Sequence, residues 1–177
     1  MTLNRLFIAN RGEIACRIIS TAKRMGYTTI VPVSDVDKNS RAARLADIAY
    51  PIGGDTPASS YLDQDKLLAA IRETSADSVH PGYGFLAENA EFASRIEAAG
   101  VAWVGPSAEV ITWMGDKREA RIRVAKLGGP CVPGYDGADQ EDSVLREESK
   151  GIGLPLMLKA AHGGGGRGMR RVESWDD

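Results

Sequence analysis

The sequence predicts an α/β fold, an open parallel sheet with flanking helices, and three observations carry that expectation. Short apolar runs at residues 6–9, 29–33, 48–52, 78–80 and 101–104 read as strands. Segments with helical spacing lie between most of them, which is the βαβ rhythm of a parallel sheet. Hydrophobic residues make up 43% of the 177-residue chain, enough to cover such a sheet with a packed core.

The elements follow in order. Asn10 stands where a first helix would be capped, with Glu13 three residues on as the reciprocal partner. Ile14, Ile18, Ala22 and Met25 then make one apolar stripe that ends at Gly26. A second helix is expected over 63–74. A third, over 88–99, places Phe92, Ala93, Ile96 and Ala99 on one face before Gly100. After Gly105 and Pro106 the rhythm changes, because 107–114 and 117–127 are two helical patterns with no strand between them. Beyond Pro130 a new unit begins: a short strand near Val132, a helix over 141–151, a strand over 156–160 and a last strand over 169–172. The expected division is therefore 1–106, a helical connector 107–130, and a partial unit 131–177.

Composition narrows the function. Twenty-two basic and 24 acidic residues are interspersed and leave a net charge of −2, so neither nucleic acid nor an acidic membrane surface is indicated as a partner. No apolar run approaches the roughly 20 residues of a membrane span, and Met1 leads straight into a strand pattern, which reads as a cytoplasmic protein. Cys16 and Cys131 match no metal or redox spacing and are expected to be reduced and buried.

The most informative stretch is PLMLKAAHGGGGRGMRRV, residues 155–172. Four consecutive glycines cost about 2 to 4 kcal/mol of ordering relative to alanine, and close backbone approach to an anionic ligand is the usual offset. Strand alternation sets Leu156, Leu158 and Ala160 on one face and Met157 with Lys159 on the other. The lysine precedes the glycines on a strand, whereas a Walker A lysine follows them into a helix, so that loop class is excluded. A plain glycine linker between strands is the competing reading.

The segment KAAHGGGGRGM resembles the glycine-rich loop of ATP-grasp enzymes, and most nearly that of the biotin carboxylases. IANRGEIACRII at 8–19, HPGYGFLAEN at 80–89 and GPSAEVITWMGDK at 105–117 are similar to that family in the same order and spacing. The resemblance implies a Rossmann-like pre-ATP-grasp domain followed by the start of an ATP-grasp lobe. It further implies a ligase that uses ATP, Mg2+ and bicarbonate to carboxylate biotin on a carrier protein, for an acyl-CoA carboxylase. By the same resemblance Lys117 and Lys159 contact ATP phosphates, with Gly164, Gly165 and Gly166 closing over them. Arg17, Tyr83 and Glu88 then lie near biotin and bicarbonate. The implied partners are a biotin carboxyl carrier domain or protein, a carboxyltransferase subunit, and a second copy in a homodimer.

Bland readings stand beside these. Lysines that open helices are commonly solvated, Gly82 and Gly84 serve a tight turn equally well, and Arg17 has i,i+4 spacing to Glu13. His80 reads as a structural hydrogen-bonding histidine rather than a general base. His162 stands where the family has a small residue. Ser20 and Arg24 differ from the arginine and acidic residue that some members place near a dimer interface. By resemblance, the adenine hinge, the acidic Mg2+ ligands and the basic groups that hold bicarbonate and biotin belong to a second lobe outside these residues, so no metal site is assigned and the chain alone is expected to be inactive. Urea or pyruvate carboxylase relatives, and a non-catalytic assembly or nucleotide-sensing module, are the alternatives.

Overall fold

Apolar segments that must be buried on both sides form the strands of a parallel sheet in the computed structural model, which describes residues 3–161 and 168–176. In chain order the elements are β1 (Arg5–Ile8), α1 (Gly12–Arg24), β2 (Thr28–Val33), a 3₁₀ turn (Asp35–Asp37), α2 (Arg41–Leu45), β3 (Ile48–Pro51), α3 (Gln64–Glu73), β4 (Ser78–His80), α4 (Ala90–Ala98) and β5 (Ala102–Trp103). There follow α5 (Ala108–Gly115), α6 (Lys117–Lys126), α7 (Asp142–Ile152), β6 (Leu156–Lys159) and β7 (Met169–Val172). The chain divides into two compact units, residues 1–111 and 112–177.

In the first unit five parallel strands are ordered β3-β2-β1-β4-β5. Leu6 pairs with Thr29 on one side and Ser78 on the other, which makes β1 the central strand. Strand alternation then splits the core in two. Phe7, Ile30 and Val79 point to the face covered by Leu67 and Ile71 of α3 and by Phe92 and Ile96 of α4. Leu6, Ile8, Val31 and Val33 point to the other, under Ala15, Ile18, Ile19 and Ala22 of α1 and Ala42 of α2. The Phe92 ring meets Trp103 edge-on at 5.8 Å between centroids.

Several expectations need correction. The buried stripe of α1 is Ala15, Ile18, Ile19 and Ala22; Met25 follows the helix end and is 66% exposed. No strand forms at Val132, which is 77% exposed and finds no neighbouring strand among the described residues to complete a ladder. Cys16 is half-buried and Cys131 exposed, both as free thiols. The five-residue α2 was not expected, because RAARL is too short to show a period.

The second unit is held mostly by polar contacts. Asp116 caps α6 by accepting from the backbone N–H groups of Arg118 and Glu119. Arg121 pairs with Asp136 at 2.6 Å, and Arg123 lies 5.3 Å above the Trp113 ring. β6 and β7 form an antiparallel hairpin in which Leu156 faces Val172 and Lys159 faces Met169. Met157 and Leu158, on its opposite faces, are 42% and 48% exposed. A two-stranded hairpin this open is marginal by itself.

One carboxylate joins three elements of the first unit. Asp47 accepts from the backbone N–H of Thr29 at 2.9 Å and its hydroxyl at 2.8 Å, and pairs with Lys23 of α1 at 2.8 Å. Lys23 first, then Thr29, lowers the Asp47 pKa from 3.8 to about 2. A depressed carboxylate stabilises the fold above its unfolded pKa, and that contribution is lost as pH falls through the folded value. Because the pair is largely solvated, the expected cost of Asp47→Asn at neutral pH is only about 1 kcal/mol. Denaturant midpoints measured from pH 5 to pH 2 should fall less steeply for Asp47→Asn than for the parent; parallel slopes would contradict this.

Candidate functional site

From β1 the chain moves outward to β2 and β3, then returns past β1 to lay down β4 and β5. The order therefore reverses between β1 and β4, and a crevice opens beyond the C-terminal ends of those strands, where ligands of open α/β sheets bind. Two loops form it, residues 9–11 after β1 and 81–89 after β4.

Asn10 joins them. Its side chain is buried, and the Nδ2 donates to the carbonyls of Pro81 at 2.8 Å and Tyr83 at 2.9 Å, while Oδ1 accepts from the Arg11 N–H at 2.9 Å. Asn10 is thus not the reciprocal cap of α1 that local sequence suggests; both donors are used on a loop more than seventy residues away. The turn must then pass very close. Gly82 has φ +68°, and a Cβ there would lie 2.7 Å from the Ile14 methyl and 2.8 Å from Asn10 Nδ2.

A second cluster braces the same edge. The Asp37 carboxylate accepts from Arg11 Nε at 2.9 Å and Nη2 at 3.2 Å, from the Tyr61 hydroxyl at 2.8 Å and from Ser34 Oγ at 3.2 Å. Tyr61 also accepts from the buried Ser34 N–H at 3.1 Å. Burial raises the Tyr61 pKa, against the lowering effect of the Ser34 hydrogen bonds and with a smaller rise from Asp37, and keeps the phenol neutral. Its ring stacks on Phe85 at 5.4 Å and 7°, and the Arg11 guanidinium lies 5.8 Å from its centroid. Four loops thereby share one network. Arg11, Asp37 and Tyr61 were missed in the sequence, which has no local pattern that pairs residues so far apart.

Around a shallow cleft of about 390 Å³ stand Asn10, Arg11, Gly12, Glu13, Tyr83 and Phe85. Tyr83 is 59% exposed and donates its hydroxyl proton to Glu13 Oε1. Among the described residues no ion pair joins Glu13 to Arg17, because Glu13 turns to Tyr83 instead. Arg17 lies one turn along α1 and borders an adjacent apolar groove with His80 and Val104. Burial, then the Arg17 charge, lowers the His80 pKa, and its Nδ1 accepts from the Gly82 N–H at 3.0 Å. His80 is accordingly a neutral imidazole that shapes the turn. Glu88 is exposed and directly precedes Asn89, whose side chain caps α4 through the Phe92 N–H.

The lysines belong to the second unit. Lys117 is the first residue of α6; its N–H donates to the Ala161 carbonyl at 3.2 Å and its Nζ approaches the same oxygen at 3.5 Å. Ala161 lies two residues past Lys159, the exposed end of β6. Lys117 therefore lies against the segment that follows the end of β6, the strand that Lys159 closes. Gly164, Gly165 and Gly166 lie outside the described residues, as does His162. Among the described residues no group of three or more His, Cys, Asp or Glu side chains is placed to hold a metal ion. Among the described residues no helix is long and apolar enough to cross a membrane.

Residues 2–111 match the family described as biotin carboxylase, N-terminal domain, and residues 116–177 match the carbamoyl-phosphate synthase L chain, ATP binding domain. Biotin carboxylase of Haemophilus influenzae is 47% identical over 175 residues, 98% of this chain and 39% of that protein. The mitochondrial methylcrotonoyl-CoA carboxylase subunit alpha of Mus musculus is 45% identical over 173 residues, 98% of this chain and 24% of its own length. Among solved structures, the biotin carboxylase domain dimer of Hydrogenobacter thermophilus 2-oxoglutarate carboxylase, in complex with MgADP, ADP and bicarbonate, superposes with a TM-score of 0.89 at 39% identity. The match covers 97% of this chain and 38% of that one. The chain thus spans between a quarter and two fifths of these proteins.

The brace around Asp37 should be measurable. Tyr61→Phe strands a buried Ser34 N–H and removes one donor from Asp37, at an expected cost of about 1 to 2 kcal/mol. Gly82→Ala should cost more, at least about 2 kcal/mol, through its φ and the overlap with Asn10. Equilibrium unfolding in urea checks both, and a Gly82→Ala variant as stable as the parent would contradict the packing described.

Proposed function

Since the chain belongs to the biotin carboxylase N-terminal domain family, we propose that it supplies the N-terminal domain and one half of the nucleotide site of an ATP-grasp biotin carboxylase. The reaction is the ATP-driven carboxylation of biotin held on a carrier protein. The γ-phosphoryl group passes to a bicarbonate oxygen with release of ADP, and the activated carboxyl group is then transferred to a biotin nitrogen, which gives up its proton as inorganic phosphate leaves.

The observation that carries this reading is that Lys117 is bonded to the Ala161 carbonyl, two residues past Lys159 at the end of β6. Two ammonium groups beside the turn into consecutive glycines present the positive charge that a triphosphate requires, and the N–H groups of Gly164, Gly165 and Gly166 would add neutral donors. Charge that develops on the transferring phosphoryl oxygens is stabilised by such groups without reorganisation. Mg2+, when bound with ATP, would supply further neutralisation of the phosphate charge, and the carboxylates that would hold it are assigned to the larger part of the enzyme represented in the relatives. In the first unit, Tyr83 and Glu88 at the β1/β4 crevice, with Arg17 alongside, are read as the biotin and bicarbonate side.

Domains 1–106 and 131–177, joined by the connector 107–130, fit this division of labour. A carboxyl carrier, a carboxyltransferase subunit and a second copy are the partners that the reading requires. The Hydrogenobacter protein is itself described as a dimer with bound nucleotide and bicarbonate, which supports ATP, Mg2+ and dimerisation here. Cytoplasmic location is part of the proposal for this chain, although relatives such as the mouse protein are mitochondrial.

Calorimetry with ATP tests the half-site. The 177-residue chain should bind ATP well above the micromolar range, that is, more weakly than about −8 kcal/mol. Lys159→Ala and Lys117→Ala should each weaken binding by about fivefold, the value of one exposed charge-assisted contact near 1 kcal/mol. Unchanged affinity in both variants would remove these lysines from the nucleotide site. The isolated chain should also release no ADP in response to bicarbonate and free biotin in a coupled assay.

A further inference from the structure

Glu13 has no role in the reaction as proposed, yet it sits at the mouth of the β1/β4 crevice. It is the second residue of α1, and Gly12 before it has open space where a side chain would stand. The usual reason for an acid in a first helical turn is the positive end of the helix dipole. That reason does not account for its contact. Glu13 reaches across to the loop after β4 and takes the hydrogen of the Tyr83 hydroxyl, while the Tyr83 backbone carbonyl is held by Asn10. Main chain and side chain of one exposed tyrosine are thus both fixed by the β1–α1 segment.

A phenol has one hydrogen to donate and lone pairs with which to accept. Resting on the assignment of this edge to biotin, we propose that Glu13 is a positioning residue: it engages the Tyr83 proton, so that the phenol oxygen meets a ligand as an acceptor and selects a group bearing N–H, as in a cyclic urea. Gly84, next to Tyr83, borders the same shallow cleft and has nothing within 4 Å of where its Cβ would be, so the backbone there is open to a ligand. The charged groups facing that hydroxyl are Glu13, which raises the Tyr83 pKa, and Arg17, whose smaller opposing effect lowers it, both from α1. Tyr83 consequently remains a phenol across the neutral range and is not a candidate base.

The test uses the whole 177-residue chain with ¹³Cζ-labelled tyrosine, the Tyr83 signal being assigned by its loss in Tyr83→Phe. In the parent chain Tyr83 should ionise above ordinary tyrosine, and in Glu13→Gln its midpoint should return toward the ordinary value, with the far-ultraviolet circular dichroism unchanged. A midpoint indifferent to Glu13→Gln overturns the role of Glu13, whatever binds. Imidazolidin-2-one is then titrated and read at Tyr83, beside N,N′-dimethylimidazolidin-2-one, which has the same ring without N–H. Binding of the first at least about fivefold tighter than the second, with the difference lost in Tyr83→Phe, is the expected result. Equal binding of the two overturns selection of an N–H donor. A shifted midpoint in Glu13→Gln with no imidazolidinone response at Tyr83 leaves the Glu13 contact standing and overturns the assignment of this edge to a cyclic urea.

Discussion

The carboxamide of Asn10 is the constraint on which the candidate site rests. It stands at the end of the central strand, where the sheet order reverses, and both its hydrogens are spent on carbonyls of the loop after β4. A buried amide with its donors satisfied in one geometry tolerates little displacement, because a freed carbonyl or N–H would be left without water. From it follow the glycine at position 82, the reach of Tyr83 across the first turn of α1, and the spacing between the β1 and β4 loops. The Asp37 cluster adds a second tie to the same edge from β2 and from the segment before α3.

Much of the first unit was readable because its signals are local. Runs such as Thr28–Val33, buried on both faces, can only be inner strands, and α4 declares itself through the stripe of Phe92, Ala93 and Ile96 that it buries. The failures share a cause as well. Asn10 is chemically suited to a cap, and nothing near it in sequence reveals that its partners are Pro81 and Tyr83. Spacing offers Arg17 as a partner for Glu13, but the Glu13 carboxylate instead accepts from the hydroxyl of Tyr83, seventy residues away. Arg11, Asp37 and Tyr61 are individually ordinary and acquire meaning only where the fold gathers them. Val132 reads as a strand by composition, yet a strand needs a neighbour, and the described residues offer it none.

The two units are stabilised differently, and the difference bears on function. The first buries a layered core on both sides of its sheet. The second relies on helix caps, ion pairs and a two-stranded hairpin whose apolar side chains stay largely exposed. Such a unit opens at low energetic cost. That property suits a unit that is proposed to admit a nucleotide.

The central claim is that this chain is the N-terminal part of a biotin carboxylase whose Lys117 and Lys159 serve the nucleotide. The most direct measurement replaces the corresponding 175 residues of Haemophilus influenzae biotin carboxylase, 39% of that protein, with this chain and follows ADP release with and without bicarbonate and biotin. The account predicts a chimera with bicarbonate-dependent ADP release that falls by at least about tenfold in Lys159→Ala, since the transferring phosphoryl group loses one of its charge partners. A folded chimera that binds nucleotide but releases no ADP, or one indifferent to Lys159→Ala, would contradict it.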